Sequence, residues 1–299
     1  MRSSRTAIAK PLQRTLARTL KRMLASRGLR LDYLQRDFDR QPIDAYSKSK
    51  LFAAMGGSFA QWNARQRVFA GAQDFDATAA TAQFYQRWLD TPFGEQQGGS
   101  RFNNLLWLFL IAKSYRPSLI VDSGTYQGAS AWALWLGQPE AEIVSFDIDL
   151  ANLKLRCPSI IYVADDWSRT RFERLKDRRV LAYFDDHVDQ IKRLLEASDR
   201  ACQIAIFDDD YPVTSFQAMA PNASALPKIE FALDPELADG LRLEWRSRSG
   251  PQSWIVDRGY LDRGLSVIAS TERLPNTSLI TGIHQTPFRI VSITPRQEH

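Results

Sequence analysis

Cysteines and long apolar runs are scarce in this sequence, and each scarcity excludes a class of protein. The 299 residues include two cysteines, Cys157 and Cys202, so a disulfide framework cannot hold the fold together. The longest apolar run, from Leu105 to Ala112, has eight residues, whereas a membrane-spanning helix needs roughly 20. With 44% hydrophobic and 24% charged residues, the chain can bury a full core. These features predict a globular protein, and the low cysteine content favours the cytoplasm.

Acidic residues are absent from the first 30 positions, which carry nine lysines and arginines. The rest of the chain has 30 basic and 34 acidic residues, so the net charge of +5 describes a basic tail on a mildly acidic body. No nucleic-acid partner is expected from that body. Within residues 7–25 apolar side chains recur every three or four positions with basic ones between them, which predicts a basic amphipathic helix. Three roles stay open for it: docking on the domain or in a homodimer, peripheral contact with anionic lipid, or targeting.

The hydrophobic pattern of the sequence changes near residue 99. Residues 31–98 have a mostly helical pattern, with residues 77–89 as the clearest helix and Gly56-Gly57 as a predicted break. From Arg101 onward helical patterns alternate with short β-branched strands, and two further strands are predicted at residues 265–270 and 289–293. The pattern predicts a doubly wound α/β sheet of about seven strands over residues 99–299, five of them parallel, preceded by a helical region.

A glycine-bearing loop follows the first predicted strand. Its sequence is Val121-Asp122-Ser123-Gly124-Thr125-Tyr126-Gln127-Gly128-Ala129-Ser130, and it opens a helix. Gly124 permits a tight turn, and Gly128 lets a ligand lie against free N–H groups at the helix start. The spacing differs from the usual dinucleotide and Lys-bearing phosphate loops. It predicts a nucleotide-type loop whose candidate contacts are Asp122, Gly124, Thr125, Tyr126, Gly128 and Ser130.

Acidic residues also follow the next two strands. Asp147 stands at the tip of the second strand, where a carboxylate can accept both hydroxyls of a ribose. Asp165 and Asp166 end the third strand just before Trp167, a composition suited to an adenine edge and face. Each acid alone also fits a helix N-cap. Together with the loop after the first strand, these acids mark the ends of three strands, and that coincidence favours a nucleoside-binding crevice.

These motifs resemble those of class I S-adenosylmethionine-dependent methyltransferases over about residues 100–212. The resemblance implies a Rossmann-like, S-adenosylmethionine-binding domain over residues 99–299. It also implies that the glycine loop approaches the methionine part, that Asp147 binds the ribose, and that Asp165 or Asp166 contacts the adenine.

Two further acidic clusters follow the fourth and fifth strands. They are Asp185-Asp186-His187 and Asp208-Asp209-Asp210, and parallel strands place both at the same edge of the sheet. Five carboxylates there repel one another unless a cation or protons neutralise them. Oxygen ligands favour a hard divalent ion, with Mg²⁺ expected and Mn²⁺ or Ca²⁺ as alternatives. Helix capping alone and acid–base use without metal also remain open.

The clusters resemble those of metal-dependent O-methyltransferases, and more narrowly the cephalosporin hydroxylase-like and macrolide-sugar methyltransferase group. That resemblance implies Asp186, Asp208 and Asp209 as metal ligands, with Asp185 instead of Asp186 if the register shifts by one residue. It implies Asp186 and His187 as catalytic residues, with His187 as the base. The expected reaction is methylation of a small hydroxylated acceptor such as a sugar or natural-product scaffold. A metal-dependent hydrolase or hydroxylase, and a non-catalytic cofactor-binding protein docked at a membrane or partner, are the alternatives.

Overall fold

A computed structural model describes residues 43–95, 99–170, 177–215, 226–247 and 250–294 of the protein. The basic helix predicted for residues 7–25 lies outside these ranges. Among the described residues, no helix combines the length and apolarity that a bilayer span requires.

Within the described ranges, nine strands form one large and one small sheet. In chain order they are β1 (Leu119–Ser123), β2 (Glu142–Phe146), β3 (Ile160–Val163), β4 (Val180–Phe184), β5 (Ile204–Phe207), β6 (Arg242–Ser247), β7 (Gly250–Ile255), β8 (Ile268–Arg273) and β9 (Arg289–Ile293). The large sheet has the order β3-β2-β1-β4-β5-β9-β8, while β6 and β7 pair as a separate hairpin. Strands β1 to β5 are parallel, and β9 runs antiparallel to both β5 and β8. The predicted doubly wound α/β fold is therefore confirmed, with five parallel strands and two from the C-terminal region.

Helices cover both faces of the large sheet. They are α1 (Ala45–Arg65), α2 (Ala77–Leu89), α3 (Phe102–Tyr115), α4 (Ala129–Gly137), α5 (Gln190–Asp199), α6 (Ile229–Ala232), α7 (Arg258–Leu265) and α8 (Ser278–Thr281). Side chains alternate along a strand, so Ile120 of β1 joins the apolar cluster with α1 to α4, while Leu119 and Val121 join the cluster with α5 to α7. Burial on both faces explains why all five residues of β1 are buried.

The N-terminal helices pack through aromatic side chains onto α3. The rings of Phe59 and Trp62 each lie 5.5 Å from that of Trp107, centroid to centroid. The predicted break at Gly56-Gly57 is wrong, because α1 runs through it. A Cβ on Gly56 would lie 2.6 Å from the Cα of Thr78, so this glycine allows α1 and α2 to approach closely.

The region after Pro212 holds more regular structure than the sequence predicts. Residues 258–265 form α7, capped by the Asp257 carboxylate, which accepts from the Tyr260 N–H at 2.8 Å. The strand predicted at residues 265–270 starts at Ile268 instead and is half-exposed at the sheet edge, where the apolar alternation is weak. The strand predicted at residues 289–293 is confirmed.

Candidate functional site

The glycine loop after β1 crosses the end of β2 and presses against the turn after β4. The N–H groups of Gly124 and Thr125 donate to the carbonyl of Phe146 at 2.9 and 3.1 Å. Gly124 has φ +105°, and a Cβ there would lie 2.5 Å from the carbonyl oxygen of Asp185. Gly128 has φ +89°, and a Cβ there would lie 2.7 Å from the carbonyl oxygen of Leu155. Both positions therefore require glycine.

The start of α4 opens into a narrow cleft at this loop. Its N-cap is Gly128, which offers no side-chain oxygen to the first N–H groups of the helix. These groups, together with the helix dipole, favour a bound carboxylate or phosphate. The lining of this cleft includes Gly99, Ser100, the loop from Gly124 to Gln127, Ser130 and Asp185.

Asp122 lies under the loop rather than in the open cleft. It is fully buried, and Ser145 donates its hydroxyl to Oδ2 at 2.5 Å. The Thr125 and Ser145 hydroxyls are 2.6 Å apart, so the carboxyl, the two hydroxyls and the loop form one network. Burial raises the pKa of Asp122 to about 7, against the opposing effect of the Ser145 and Ser130 hydroxyls.

Asp122 therefore makes stability depend on pH. Its pKa in the folded protein is above the ordinary value of 3.8, so folding takes up a proton between about pH 4 and pH 7. The stabilisation is complete below pH 4 and is lost as the pH rises through 7. We expect the free energy of unfolding to decrease across this pH window. In Asp122→Asn the decrease should be smaller by up to about 4 kcal/mol, because asparagine does not titrate. Urea unfolding at pH 4.5 to 7.5 measures it, and an unchanged slope in the variant would contradict the assignment.

Asp147 stands beside the glycine loop, as the sequence predicts for a ribose ligand. Its Oδ2 accepts from the N–H of Tyr126 at 2.7 Å, and its Oδ1 accepts from the N–H of Asp149 at 3.0 Å. Each oxygen keeps a second lone pair for a ligand hydroxyl. The next side chain, Ile148, is 82% exposed and offers an apolar surface at the same tip.

The two acids after β3 have different surroundings. Asp165 is partly exposed and pairs with Arg169 at 3.1 Å. Asp166 receives two parallel hydrogen bonds from the Arg193 guanidinium, both at 2.9 Å. Burial alone would raise the pKa of Asp166, but the hydrogen bonds from Arg193 outweigh it and hold that pKa well below its usual range. Asp165 and Asp166 are both predicted candidates for the adenine contact. Asp166 is bound by the buried Arg193, whereas the partner of Asp165, Arg169, is exposed.

Three polar side chains from the turns after β4 and β5 converge into a second cleft. Single ligand atoms of Asp185, His187 and Asp209 all lie within 4.8 Å of one another. His187 and Asp209 have φ values of 55° and 56°, a left-handed conformation that is rare outside glycine and typical of constrained sites. The pKa of Asp185 is raised well above its usual value by desolvation and by the charges of Asp208 and Asp209.

Asp186, the expected ligand, also lines this cleft, but its carboxylate oxygens are bound by other partners and are not among the three grouped ligand atoms. The Ser123 hydroxyl and the Arg193 Nε both donate to its Oδ2, at 2.5 and 2.8 Å. Its Oδ1 accepts from the N–H of Val188 at 3.2 Å. The group of ligand atoms therefore contains Asp185 and not Asp186, as expected if the register shifts by one residue, and the identity of the metal ligand stays a prediction.

Asp208 and Asp210 are held by internal partners. Asp208 accepts from the Tyr183 hydroxyl at 2.9 Å and also from the Thr286 hydroxyl. Burial and the neighbouring charge of Asp209 raise the pKa of Asp208 to about 7. Asp210 forms a buried ion pair with Arg289. Of the predicted metal ligands Asp186, Asp208 and Asp209, the structure brings only Asp209 into the three-residue group.

The sequence motifs predict none of three buried cations at this edge of the sheet, Lys228, Arg193 and Arg289. Lys228 is 1% exposed and lines the same cleft as Asp185, His187 and Asp209. Burial lowers its pKa, although the surrounding carboxylates oppose the change. No local motif marks it, because it follows an irregular stretch. Arg193 could have been predicted from the sequence, because it occupies an inward position of the amphipathic helix α5, where a charge implies a buried partner.

Asp185 lines both clefts, and this continuity defines the site. The fold and the site together define a doubly wound α/β protein with a glycine-loop cleft on one side of Asp185 and a carboxylate cluster on the other.

No family model and no curated protein matches the sequence. Solved structures similar to this chain include the SAH-bound methyltransferase PaMTH1 of Podospora anserina, with 14% identity over 85% of this chain and 99% of that chain and a TM-score of 0.35. The O-methyltransferase TomG of Streptomyces achromogenes, in complex with SAM, has 11% identity over 80% of this chain and 96% of its own, with a TM-score of 0.39. CmcI with Mg and SAM has 19% identity over 52% and 74%, with a TM-score of 0.31. The likeness is one of fold and assigns neither an activity nor a residue role to this chain.

Proposed function

We propose that the protein is an S-adenosylmethionine-dependent O-methyltransferase that uses a divalent cation. The observation that carries the proposal is the position of Asp185, which lines the glycine-loop cleft and the carboxylate cleft together. A methyl donor in the first and an acceptor hydroxyl at the second would then be neighbours, and such positioning supplies much of the rate of a group transfer.

The first cleft suits S-adenosylmethionine. The uncapped start of α4 favours its carboxylate. Asp147 offers two oxygens to the ribose hydroxyls, and the exposed side chain of Ile148 gives the adenine an apolar surface. Asp165 lies after the next strand for the adenine edge. The bound donor supplies a methyl group on a positively charged sulfur. A nucleophilic oxygen can attack this methyl group, and the sulfur leaves as a neutral thioether.

The second cleft suits a hard divalent ion. Asp185 and Asp209 offer carboxylate oxygens, which Mg²⁺ and Mn²⁺ prefer, and the span of 4.8 Å fits ligands around one ion. Such an ion lowers the pKa of a hydroxyl bound to it. His187 is the exposed member of the group and accepts the proton of the acceptor hydroxyl, while the oxygen forms its bond to the methyl carbon as the carbon–sulfur bond breaks. A sugar or another small hydroxylated scaffold is the acceptor class that the sequence resemblance favours.

Calorimetric titration of the protein with S-adenosylmethionine, with and without Mg²⁺, tests the proposal. We expect binding, and we expect Asp147→Ala to weaken it by about 10- to 100-fold, because hydrogen bonds to a charged group contribute roughly 1.5–3 kcal/mol. Asp149→Ala is the matched control, since Asp149 caps the next short helix through the Ala151 N–H at 2.8 Å. It should bind the donor as the wild type does.

The outcomes separate the alternatives. Absence of binding in both conditions would overturn the methyltransferase proposal. Turnover of a hydroxylated substrate without S-adenosylmethionine would favour a metal-dependent hydrolase or hydroxylase. Donor binding with no methyl transfer to any acceptor, and no effect of Asp185→Asn, would favour a binding protein.

A further inference from the structure

Arg193 connects the turns that follow β3 and β4. Its side chain is 1% exposed and lies on the inward face of α5. The two Nη atoms reach both oxygens of Asp166 at 2.9 Å, Nε reaches Asp186 at 2.8 Å, and Nη1 also reaches Glu196 at 2.8 Å. A buried cation thus holds carboxylates from two different strand ends in one rigid fork, a geometry that lysine cannot reproduce.

Asp186 lies in a bend between Asp185 and His187, so the direction of each side chain is set by its own contacts rather than by the alternation of a strand. Asp186 is held on the inner side by Arg193 and by the Ser123 hydroxyl of β1. Asp185 and His187 flank it, and both present ligand atoms to the cleft that Asp209 shares.

The turn also needs an external anchor because of its backbone. His187 has a left-handed φ of 55°, a conformation that persists only when surrounding contacts enforce it. The N–H of Asp185 donates to the carbonyl of Ser123 at 2.8 Å, which fixes the residue before Asp186. Arg193 fixes Asp186 itself from the helix side. Together these contacts leave the turn a single orientation.

We propose that Arg193 is a positioning residue that holds the carboxylate of Asp186 at the wall of the metal cleft and so leaves Asp185 and His187, rather than Asp186, to present ligand atoms beside Asp209. The proposal rests on the proposed function for the identity of the metal cleft. It predicts a role for the shape of the guanidinium, separate from its charge, since a positive charge by itself repels a cation.

Arg193→Lys separates shape from charge, and Mn²⁺ is the probe. We expect Arg193→Lys to lower the affinity for Mn²⁺, measured by electron paramagnetic resonance on the full chain, about tenfold, and to alter the spectrum of the bound ion. The affinity for S-adenosylmethionine, measured by calorimetry, should change less than threefold. Asp166→Asn, which weakens the other half of the fork, should lower Mn²⁺ affinity in the same direction by about threefold and provides a second route if Arg193→Lys folds poorly.

Arg200→Lys is the matched control. Arg200 also contacts the turn after β3, with its Nη2 donating to the Ser168 carbonyl at 2.5 Å and its guanidinium 4.3 Å from the Trp167 ring. In the contacts described it does not reach the turn after β4, so its variant should keep wild-type Mn²⁺ affinity. Unchanged Mn²⁺ affinity and spectrum in Arg193→Lys and Asp166→Asn would overturn the proposal. A wild type that binds S-adenosylmethionine but no Mn²⁺ would overturn it together with the metal part of the proposed function.

Discussion

Asp185→Asn is expected to abolish Mn²⁺ binding, with a loss of at least about 100-fold, whereas Asp186→Asn should keep the affinity within about threefold. The two residues are adjacent and chemically identical, but only the carboxylate of Asp185 lies within 4.8 Å of Asp209 and His187. Removing one of two carboxylates from an oxygen site removes a charge that the cation needs, and 100-fold corresponds to about 2.7 kcal/mol. Methyl transfer, followed with a hydroxylated acceptor, should fall in parallel.

The asparagine at position 186 keeps the local contacts that matter. Its carbonyl oxygen can still accept from the Nε of Arg193, now 2.8 Å from the Asp186 carboxylate, and from the Ser123 hydroxyl. Mn²⁺ binding is measured by electron paramagnetic resonance, and calorimetry with S-adenosylmethionine serves as the folding control for both variants. Equal losses in the two variants would show that the metal ligand had been assigned to the wrong aspartate.

The local sequence is sufficient to predict at which edge of the sheet the site lies. Strands β1 to β5 have short β-branched runs followed by acids or glycines, and parallel pairing brings those strand ends together. Helix α2 and strand β9 agree with the predicted bounds to the residue, because α2 has Asp76 as a clear N-cap and β9 is a short, largely buried apolar segment.

The choice between Asp185 and Asp186 is not local and could not be predicted from the motif. A shift of one residue reverses which side chain faces the cleft, and the pattern Asp185-Asp186-His187 fits either register. The direction of Asp186 is set by Ser123 of β1 and Arg193 of α5, which are 63 and 7 residues away from Asp186 in the chain. Lys228 is a similar case, because its approach to the cleft depends on the packing of α6.

The glycine loop gives the second large effect: Gly124→Ala should weaken S-adenosylmethionine binding at least tenfold and destabilise the fold by about 3 kcal/mol. Gly124 has φ +105°, where an L-residue is strained by roughly 1–2 kcal/mol. The added Cβ would also lie 2.5 Å from the carbonyl oxygen of Asp185, which is backbone and cannot rotate aside. Such overpacking costs about 1–3 kcal/mol.

The same change tests whether the two clefts act together. Because the clash falls on the backbone of Asp185, relief of the overlap must displace the residue that both clefts share, and Mn²⁺ affinity should fall as well. Gly240→Ala is the matched control, since Gly240 has φ +76° but its Cβ would meet no atom within 4 Å. It should lose about 1 kcal/mol of stability in urea unfolding and keep both affinities. If Gly124→Ala had the same small effect as Gly240→Ala, backbone strain alone would explain the cost of replacing Gly124. The prediction that the contact between the loop and Asp185 affects ligand binding would then be wrong.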